Sequence, residues 1–92
     1  PLAWIRIPEK DLAEMEAYYR ELSKDEKNEE TLHTLKVYLE NNMNFSLTAK
    51  KLDVHINTVR SRISRAEELV PIDWNDYVSR IKTQLLLQFI HL

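Results

Sequence analysis

The chain has 92 residues, of which 43% are hydrophobic and 30% charged, and its formal net charge is −2. A chain of this length forms one small domain. It contains no cysteine, which excludes disulfides, cysteine-based zinc sites and thiol nucleophiles. It also contains no glycine. Because hairpin turns depend heavily on glycine, this argues against an all-β fold and favours helices joined by Asn, Asp and Pro.

Neither a metal site nor an enzyme is expected. His33, His55 and His91 lie far apart, without metal-ligand spacing. There is no glycine-rich phosphate loop and no cluster of histidines with carboxylates, so we expect no catalysis and no cofactor. Neither a signal peptide nor a membrane span is visible, which makes a cytoplasmic location the expectation. The start at Pro1 instead of Met is consistent with a fragment of a longer protein.

The first part of the chain predicts a short extended segment at residues 1–7 and then a helix. Pro8 suits the first turn of that helix. Its buried stripe follows a helical spacing of i, i+3, i+7 and i+10 and consists of Leu12, Met15, Tyr19 and Leu22. The charged stretch at 23–30 is interpreted as a linker or a frayed helix start.

Two further helices are predicted in the middle of the chain. One runs from about residue 29 to 41 with a buried leucine stripe, and the asparagine-rich residues 41–44 end it because Asn tolerates a left-handed backbone. The next is short, at about 46–52, with Asn44 or Ser46 as its cap and Phe45 pointing into the core.

A longer helix and a final helix complete the predicted elements. After a tight turn, the longer helix runs from about residue 57 to 70, and Pro71 ends it. Asp73 or Asn75 is predicted to cap the final helix, which runs to the C-terminus. Towards its end that helix is apolar nearly all round, which is typical of a helix buried on more than one side. We therefore expect a neighbouring domain or a second copy of the chain against it.

The segment FSLTAKKLDVHINTVRSRISRA, residues 45–66, has the pattern of a helix-turn-helix. Ala49 supplies the small residue needed where the two helices cross, and Asp53 suits a turn position with positive φ. Apolar side chains fill the space between the helices: Leu52, Val54, Val59 and Ile63. The predicted division of the chain is an N-terminal helical segment and linker at 1–28 and a helix-turn-helix domain at 29–92.

Positive charge is concentrated in the same part of an acidic chain. Between residues 44 and 66 there are five basic residues and one acid, which leaves a local charge of +4. Such an island raises the positive potential where a polyanion docks. A solvated helical face is the alternative explanation of the charge pattern.

The long helix carries these charges on the side opposite its core stripe. Arginine binds guanine in bidentate fashion, asparagine binds adenine, and serine adapts to either, so this face suits the major groove of DNA. The residues around the helix start, 55–58, would enter deepest, while lysines on the preceding helix would meet phosphates. The predicted DNA-binding residues are Lys50, Lys51, His55, Asn57, Thr58, Arg60, Ser61, Arg62, Ser64 and Arg65.

Two of these assignments have alternatives. Arg62 lies near the core stripe, and a phosphate contact or a structural role is favoured over base reading. His55 is equally well explained as a turn residue whose ring packs locally.

The stretch TLHTLKVYLENNMNFSLTAKKLDVHINTVRSRISRAEEL, residues 31–69, resembles the C-terminal helix-turn-helix domain of PucR/CdaR-type regulators. The matching motifs are the TL..YLENN-like first helix, the asparagine-led TA..L stretch, the VH-x-NT-V-R-x-R-I recognition helix and the EEL ending. The resemblance extends over residues 30–92, and a more distant one exists to Fis-type domains. Met43 departs from the pattern, because a glycine is usual between the two asparagines.

The resemblance implies a transcription regulator with this domain at its C-terminus, dimers, and upstream domains that sense small metabolites. By motif, the DNA-facing positions are Asn57, Thr58, Arg60 and Arg62. The sequence therefore predicts an all-α domain of about five helices that binds double-stranded DNA as a homodimer, without a membrane association. Any small-molecule effector is expected to act only through domains outside this chain. The alternative is a helical interaction or dimerisation module with an incidental basic face.

Overall fold

The computed structural model describes residues 9–90, with side chains from residue 12 onward. That part of the chain folds into five α-helices and contains no strand: α1 at Glu9–Leu22, α2 at Glu26–Glu40, α3 at Phe45–Leu52, α4 at Ile56–Leu69 and α5 at Tyr77–Phe89. The predicted all-α fold of about five helices is confirmed. The expectations for residues 1–8, for His91 and for the end of the last helix at Leu92 lie outside the described residues.

The connection between α1 and α2 is shorter than the charged composition suggested. Asp25 caps α2, and its Oδ1 accepts a hydrogen bond from the Asn28 N–H at 3.0 Å. This cap starts the helix at Glu26, so of the two interpretations of 23–30, a linker or a helix start, the helix start applies to residues 26–30. Tyr19 on α1 is fully buried, and the rest of the predicted α1 stripe packs against the same core. The division of the chain at residue 28 stays a prediction.

Helix α2 lies at the centre of the molecule, where it packs against α3, α4 and α5, while α1 packs against α5. The fully buried core side chains come from different helices and include Leu32 and Leu35 of α2, Val59 of α4 and Leu87 of α5. Burying a side chain of this kind contributes about 1.5–3 kcal/mol. Tyr18 Oη also donates to the Leu69 carbonyl at 2.5 Å, which ties α1 to the end of α4. One side of α4 thus packs against the core, and the opposite side faces solvent.

The chain turns from α2 to α3 through two consecutive left-handed residues, Asn42 with φ 55° and Met43 with φ 60°. The Met43 N–H bonds the Tyr38 carbonyl at 2.9 Å, and the Asn42 N–H bonds the Leu39 carbonyl at 3.2 Å. This pair of bonds is the Schellman motif that closes a helix end. Met43 thus adopts the conformation for which glycine is suited, at a backbone cost of about 1–2 kcal/mol, and its side chain packs against the core.

The helix boundaries around the helix-turn-helix segment agree with the predictions to within one residue. Asn44 is the cap of α3, since its Oδ1 accepts from the Leu47 N–H at 2.9 Å. The predicted cap of α5 was wrong: Asp76 has that role, with its Oδ1 accepting from the Val78 N–H at 3.0 Å. Asp73 instead accepts from the Asn75 N–H and forms a turn ahead of the helix. Within residues 9–90, no helix has both the length and the apolar character needed to cross a bilayer.

Candidate nucleic-acid interface

Helices α3 and α4 form the predicted helix-turn-helix, with Asp53 in the turn at φ 55° and ψ 48°. The Val54 N–H bonds the Ala49 carbonyl at 3.0 Å, and the Asp53 N–H bonds the Lys50 carbonyl at 3.2 Å. These bonds close α3 with a second Schellman motif. Ala49 is buried in the core where α3 and α4 pack together, as expected of a small residue at a close crossing. The local geometry predicted for this segment is confirmed.

His55 is the N-cap of α4. Its Nδ1 accepts a hydrogen bond from the Asn57 N–H at 3.0 Å. A neutral imidazole that accepts at Nδ1 carries its proton on Nε2, so the ring still has one N–H to donate. The residue is exposed. His55 therefore has a local structural role, but as a helix cap with an exposed ring and not as the locally packed turn residue that the sequence offered as an alternative.

The outward side of α4 is formed by four polar residues, here called the outer ridge: Asn57, Arg60, Ser61 and Ser64. All four are exposed. Their side chains make no hydrogen bond or ion pair with residues 12–90, and the Arg60 guanidinium lies over an aromatic ring. Glu68, one turn beyond Ser64, is exposed as well and adds a negative charge at the far end of the helix. The ridge is thus a polar surface whose donors and acceptors are not engaged by the described part of the chain.

Arg62 and Arg65 occupy a different side of α4, at its boundary with α2. Arg62 Nη2 lies 2.9 Å from Glu30 Oε1, and Arg62 Nη1 donates to Thr34 Oγ1 at 3.3 Å. Arg65 Nη2 donates to Asn28 Oδ1 at 2.7 Å. Both side chains are partly buried. The structure therefore separates these two arginines from the outer ridge and directs N–H groups of each towards α2.

The remaining predicted residues lie on either side of the turn. Lys50 and Lys51 are exposed in the last turn of α3 and make no ion pair with residues 12–90. Two lysines at this end of a helix are also favourable for its dipole, which gives them a structural explanation. Thr58, in the first turn of α4, is partly buried.

One residue of the interface, Phe45, was missed by the sequence analysis, which assigned it only to the core. The Arg60 Cζ lies 5.4 Å from the centre of the Phe45 ring, within the range of a cation–π contact. Phe45 begins α3, and Arg60 is on the second turn of α4. No periodic spacing links positions in two different helices, so the sequence offered no signal for this pair.

Among the side chains of residues 12–90, no group of three or more His, Asp and Glu residues is arranged to hold a metal ion.

A short helix, a tight left-handed turn and a longer helix with an exposed polar side define a helix-turn-helix domain. The chain belongs to the family of PucR C-terminal helix-turn-helix domains, whose family model matches residues 31–89. The resemblance seen in the sequence is thereby confirmed, and the chain is a helix-turn-helix domain of a family of transcriptional regulators.

Three proteins of Bacillus subtilis (strain 168) are similar to the chain. The purine catabolism regulatory protein is 40% identical over 65 residues, covering 71% of this chain and 12% of the relative. The proline-responsive transcriptional activator PutR is 32% identical over 87 residues, covering 95% and 20%. The uncharacterized protein YxkF is 44% identical over 57 residues, covering 62% and 18%. The matched region thus spans a fifth or less of each relative. No solved structure gave a significant match.

Proposed function

We propose that this domain binds double-stranded DNA in a sequence-specific manner, with α4 in the major groove, as the DNA-reading part of a transcriptional regulator. The observation that carries the proposal is the outer ridge. It presents an amide, a guanidinium and two hydroxyls to solvent, without hydrogen-bond or ion-pair partners among residues 12–90. These are the groups that bind base edges in the major groove. The names of two relatives, a regulatory protein and a transcriptional activator, support the same role.

The proposal gives each predicted residue a role. Arg60 binds guanine and Asn57 binds adenine, while Ser61 and Ser64 contact either bases or the backbone. Arg62 and Arg65, with N–H groups already bonded to α2, hold α4 in its orientation. A second set meets the sugar-phosphate backbone through ammonium, imidazole N–H and hydroxyl groups: Lys50, Lys51, His55 and Thr58.

The proposal is tested by measuring affinity for duplex DNA as a function of salt, with a random pool and with sequences selected from it. The slope of log affinity against log salt is about −0.9 for each phosphate neutralised. Lys50→Ala should therefore flatten the slope by about one phosphate and weaken all sequences alike. Lys24→Ala is the matched control, because Lys24 is an exposed lysine between α1 and α2, outside the helix-turn-helix, and pairs with Glu21. Equal slopes for both variants and the wild type would contradict the assignment.

The proposed binding unit is a homodimer, because one short recognition helix reads few base pairs. The surface we propose for the second copy is the outward side of α5, opposite the core residues Thr83, Leu86 and Leu87. Tyr77 on this side is 60% exposed. Other residues of this side are apolar or carry neutral amides, namely Ile81, Gln84, Leu85 and Gln88. Arg80 borders the surface, with its Cζ 5.8 Å from the centre of the Tyr77 ring. A surface with so little charge pairs with its own copy across a two-fold axis with little repulsion.

Sedimentation with and without duplex DNA tests the dimer and also the alternative function of an interaction module. Gln88→Lys would place like charges against each other across a two-fold axis and should yield monomers. His33→Lys, at an exposed position of α2, should have no such effect. Self-association without any shift on adding DNA would favour the interaction module. The relatives are much longer than the matched region, and we propose that an effector signal enters through domains outside this chain. The proposed binding to genomic DNA implies a cytoplasmic location.

A further inference from the structure

The three arginines of α4 differ in how their guanidinium groups are engaged. Arg62 and Arg65 bond through their N–H groups to residues of α2. Arg60 instead lies over the ring of Phe45, at 5.4 Å from its centre, and donates no hydrogen bond to residues 12–90. A contact of this kind uses the charge and the flat face of the guanidinium, while the N–H fork at its edge stays available. Among these arginines, Arg60 thus has a guanidinium that is supported by a ring and whose N–H groups donate to no residue among 12–90.

The Phe45 ring is itself held by aromatic neighbours. Its centre lies 4.9 Å from that of Tyr38 on α2, and Tyr38 lies edge-on to Trp74 at 5.8 Å. Phe45 is also the first residue of α3, directly after the capping residue Asn44. Three rings from different parts of the fold therefore form a continuous series that ends at Arg60. Because the ring cannot shift without moving its neighbours, it gives the arginine a defined support.

We propose that Phe45 is a positioning residue for base recognition: it holds the Arg60 guanidinium in the orientation that binds guanine. This inference rests on the proposed function, in which α4 enters the major groove. A free arginine loses side-chain rotamer freedom when it binds a base. An arginine already supported on a ring loses less rotamer freedom on binding. Because the ordered bidentate contact forms with guanine and not with the other bases, the smaller loss strengthens binding to guanine alone and increases the preference for it. Phe45 itself need not touch the DNA.

The test compares discrimination between bases for variants of the intact chain. First, a high-affinity duplex is selected with the wild type, and the base pair read by Arg60 is identified as the one at which Arg60→Ala no longer discriminates. Phe45→Leu should then reduce discrimination at that base pair about two- to fivefold, with no change at other positions. Phe45→Tyr, which keeps the ring, should restore it. In the Arg60→Ala background, Phe45→Leu should change discrimination nowhere.

Thermal melting of each variant separates this role from a loss of folding. If Phe45→Leu melts at a lower temperature, Phe45→Met, whose flexible unbranched side chain adapts to irregular space, replaces it. Unchanged discrimination in the folded leucine or methionine variant would overturn the inference, as would an equal loss for all sequences. A wild type that binds every duplex alike would instead refute the proposed function. The two failures are therefore distinguishable.

Discussion

Arg60 and Arg62 are two positions apart in the sequence, yet their side chains have different surroundings. Arg60 is exposed and supported by Phe45, whereas the Arg62 side chain is 23% exposed and paired with Glu30. The contrast arises because residues two apart in the sequence of a helix differ by about 200° around its axis. Two arginines at this spacing therefore face different parts of the fold. Substitutions at the two sites are therefore expected to affect different properties.

Arg60→Ala should cost about 1–3 kcal/mol of discrimination at a single base pair, because a bidentate contact with guanine is lost. The measurement is binding to a panel of duplexes with one substitution each. Arg20→Ala is the control of equal charge, since Arg20 lies on α1 and pairs with Glu16 at 2.7 Å. A loss spread evenly over the whole panel would show that Arg60 binds phosphate and reads no base.

Asp53 lies in the left-handed region, at φ 55°. Asp53→Ala should lower the free energy of unfolding by about 1 kcal/mol, because a Cβ without a polar group makes this conformation unfavourable. Asp53→Gly should cause no such loss, since glycine adopts positive φ readily. Both variants remove the same carboxylate, so their difference in urea unfolding isolates the backbone effect. Equal stabilities would mean that the turn adjusts to a right-handed residue.

At the scale of the helices, α2 holds α4 in place through buried leucines and through polar bonds at the edge of the contact. The polar bonds link residues far apart in sequence, with Arg62 bonded to Glu30 and Thr34, and Arg65 bonded to Asn28. The pair formed by Arg62 and Glu30 is partly solvated, so its own contribution is modest. Its main consequence is the orientation that it gives to α4.

Arg62→Ala should lower the free energy of unfolding by about 1 kcal/mol, through the loss of the hydrogen bonds and of the packing of its apolar stem. Any loss of DNA affinity should be spread evenly over the duplexes, because Arg62 orients α4 and reads no single base pair. Urea unfolding and the same duplex panel measure the two effects. If Arg62→Ala abolished discrimination at one base pair while stability was unchanged, Arg62 would be a reading residue.

At the scale of the whole molecule, the burial of two tyrosines makes the stability of the fold depend on pH in the alkaline range. Burial raises the pKa of the Tyr19 phenol above its ordinary value of 10.0. Burial also raises the pKa of Tyr38, and the nearby charge of Glu67 adds to the effect. The unfolded chain therefore loses these protons at lower pH than the folded one. The titration of these two tyrosines should therefore leave the stability of the folded protein unaffected below pH 10 and lower it as the pH rises beyond that value.

Tyr19→Phe should make the alkaline decrease less steep, because it removes a group that must stay protonated in the fold. The measurement is the free energy of unfolding between pH 8 and pH 11.5, followed by circular dichroism. Tyr77→Phe is the control and should keep the wild-type slope, measured at a protein concentration at which the chain sediments as a monomer, because Tyr77 is then 60% exposed. Identical slopes for all three proteins would show that the burial of Tyr19 has no part in the alkaline transition.

The sequence by itself determined the helices, their core stripes and the helix-turn-helix. These features depend on local rules, namely the helical period, capping by Asn44 and the left-handed turn at Asp53. Local rules were less decisive where three nearby residues had similar capping ability: Asp76 caps α5 in place of Asp73 or Asn75. The motif residues also sufficed to identify the family.

Only the tertiary structure decided which arginines of α4 are available to a ligand. A helical wheel gives the angle of a side chain but not the position of the neighbouring helices. The contact of Arg65 with Asn28 spans 37 positions in sequence, and Arg60 meets Phe45 across two helices. Such contacts follow from how α2 and α3 pack on α4, which the burial of apolar surface from the whole chain determines.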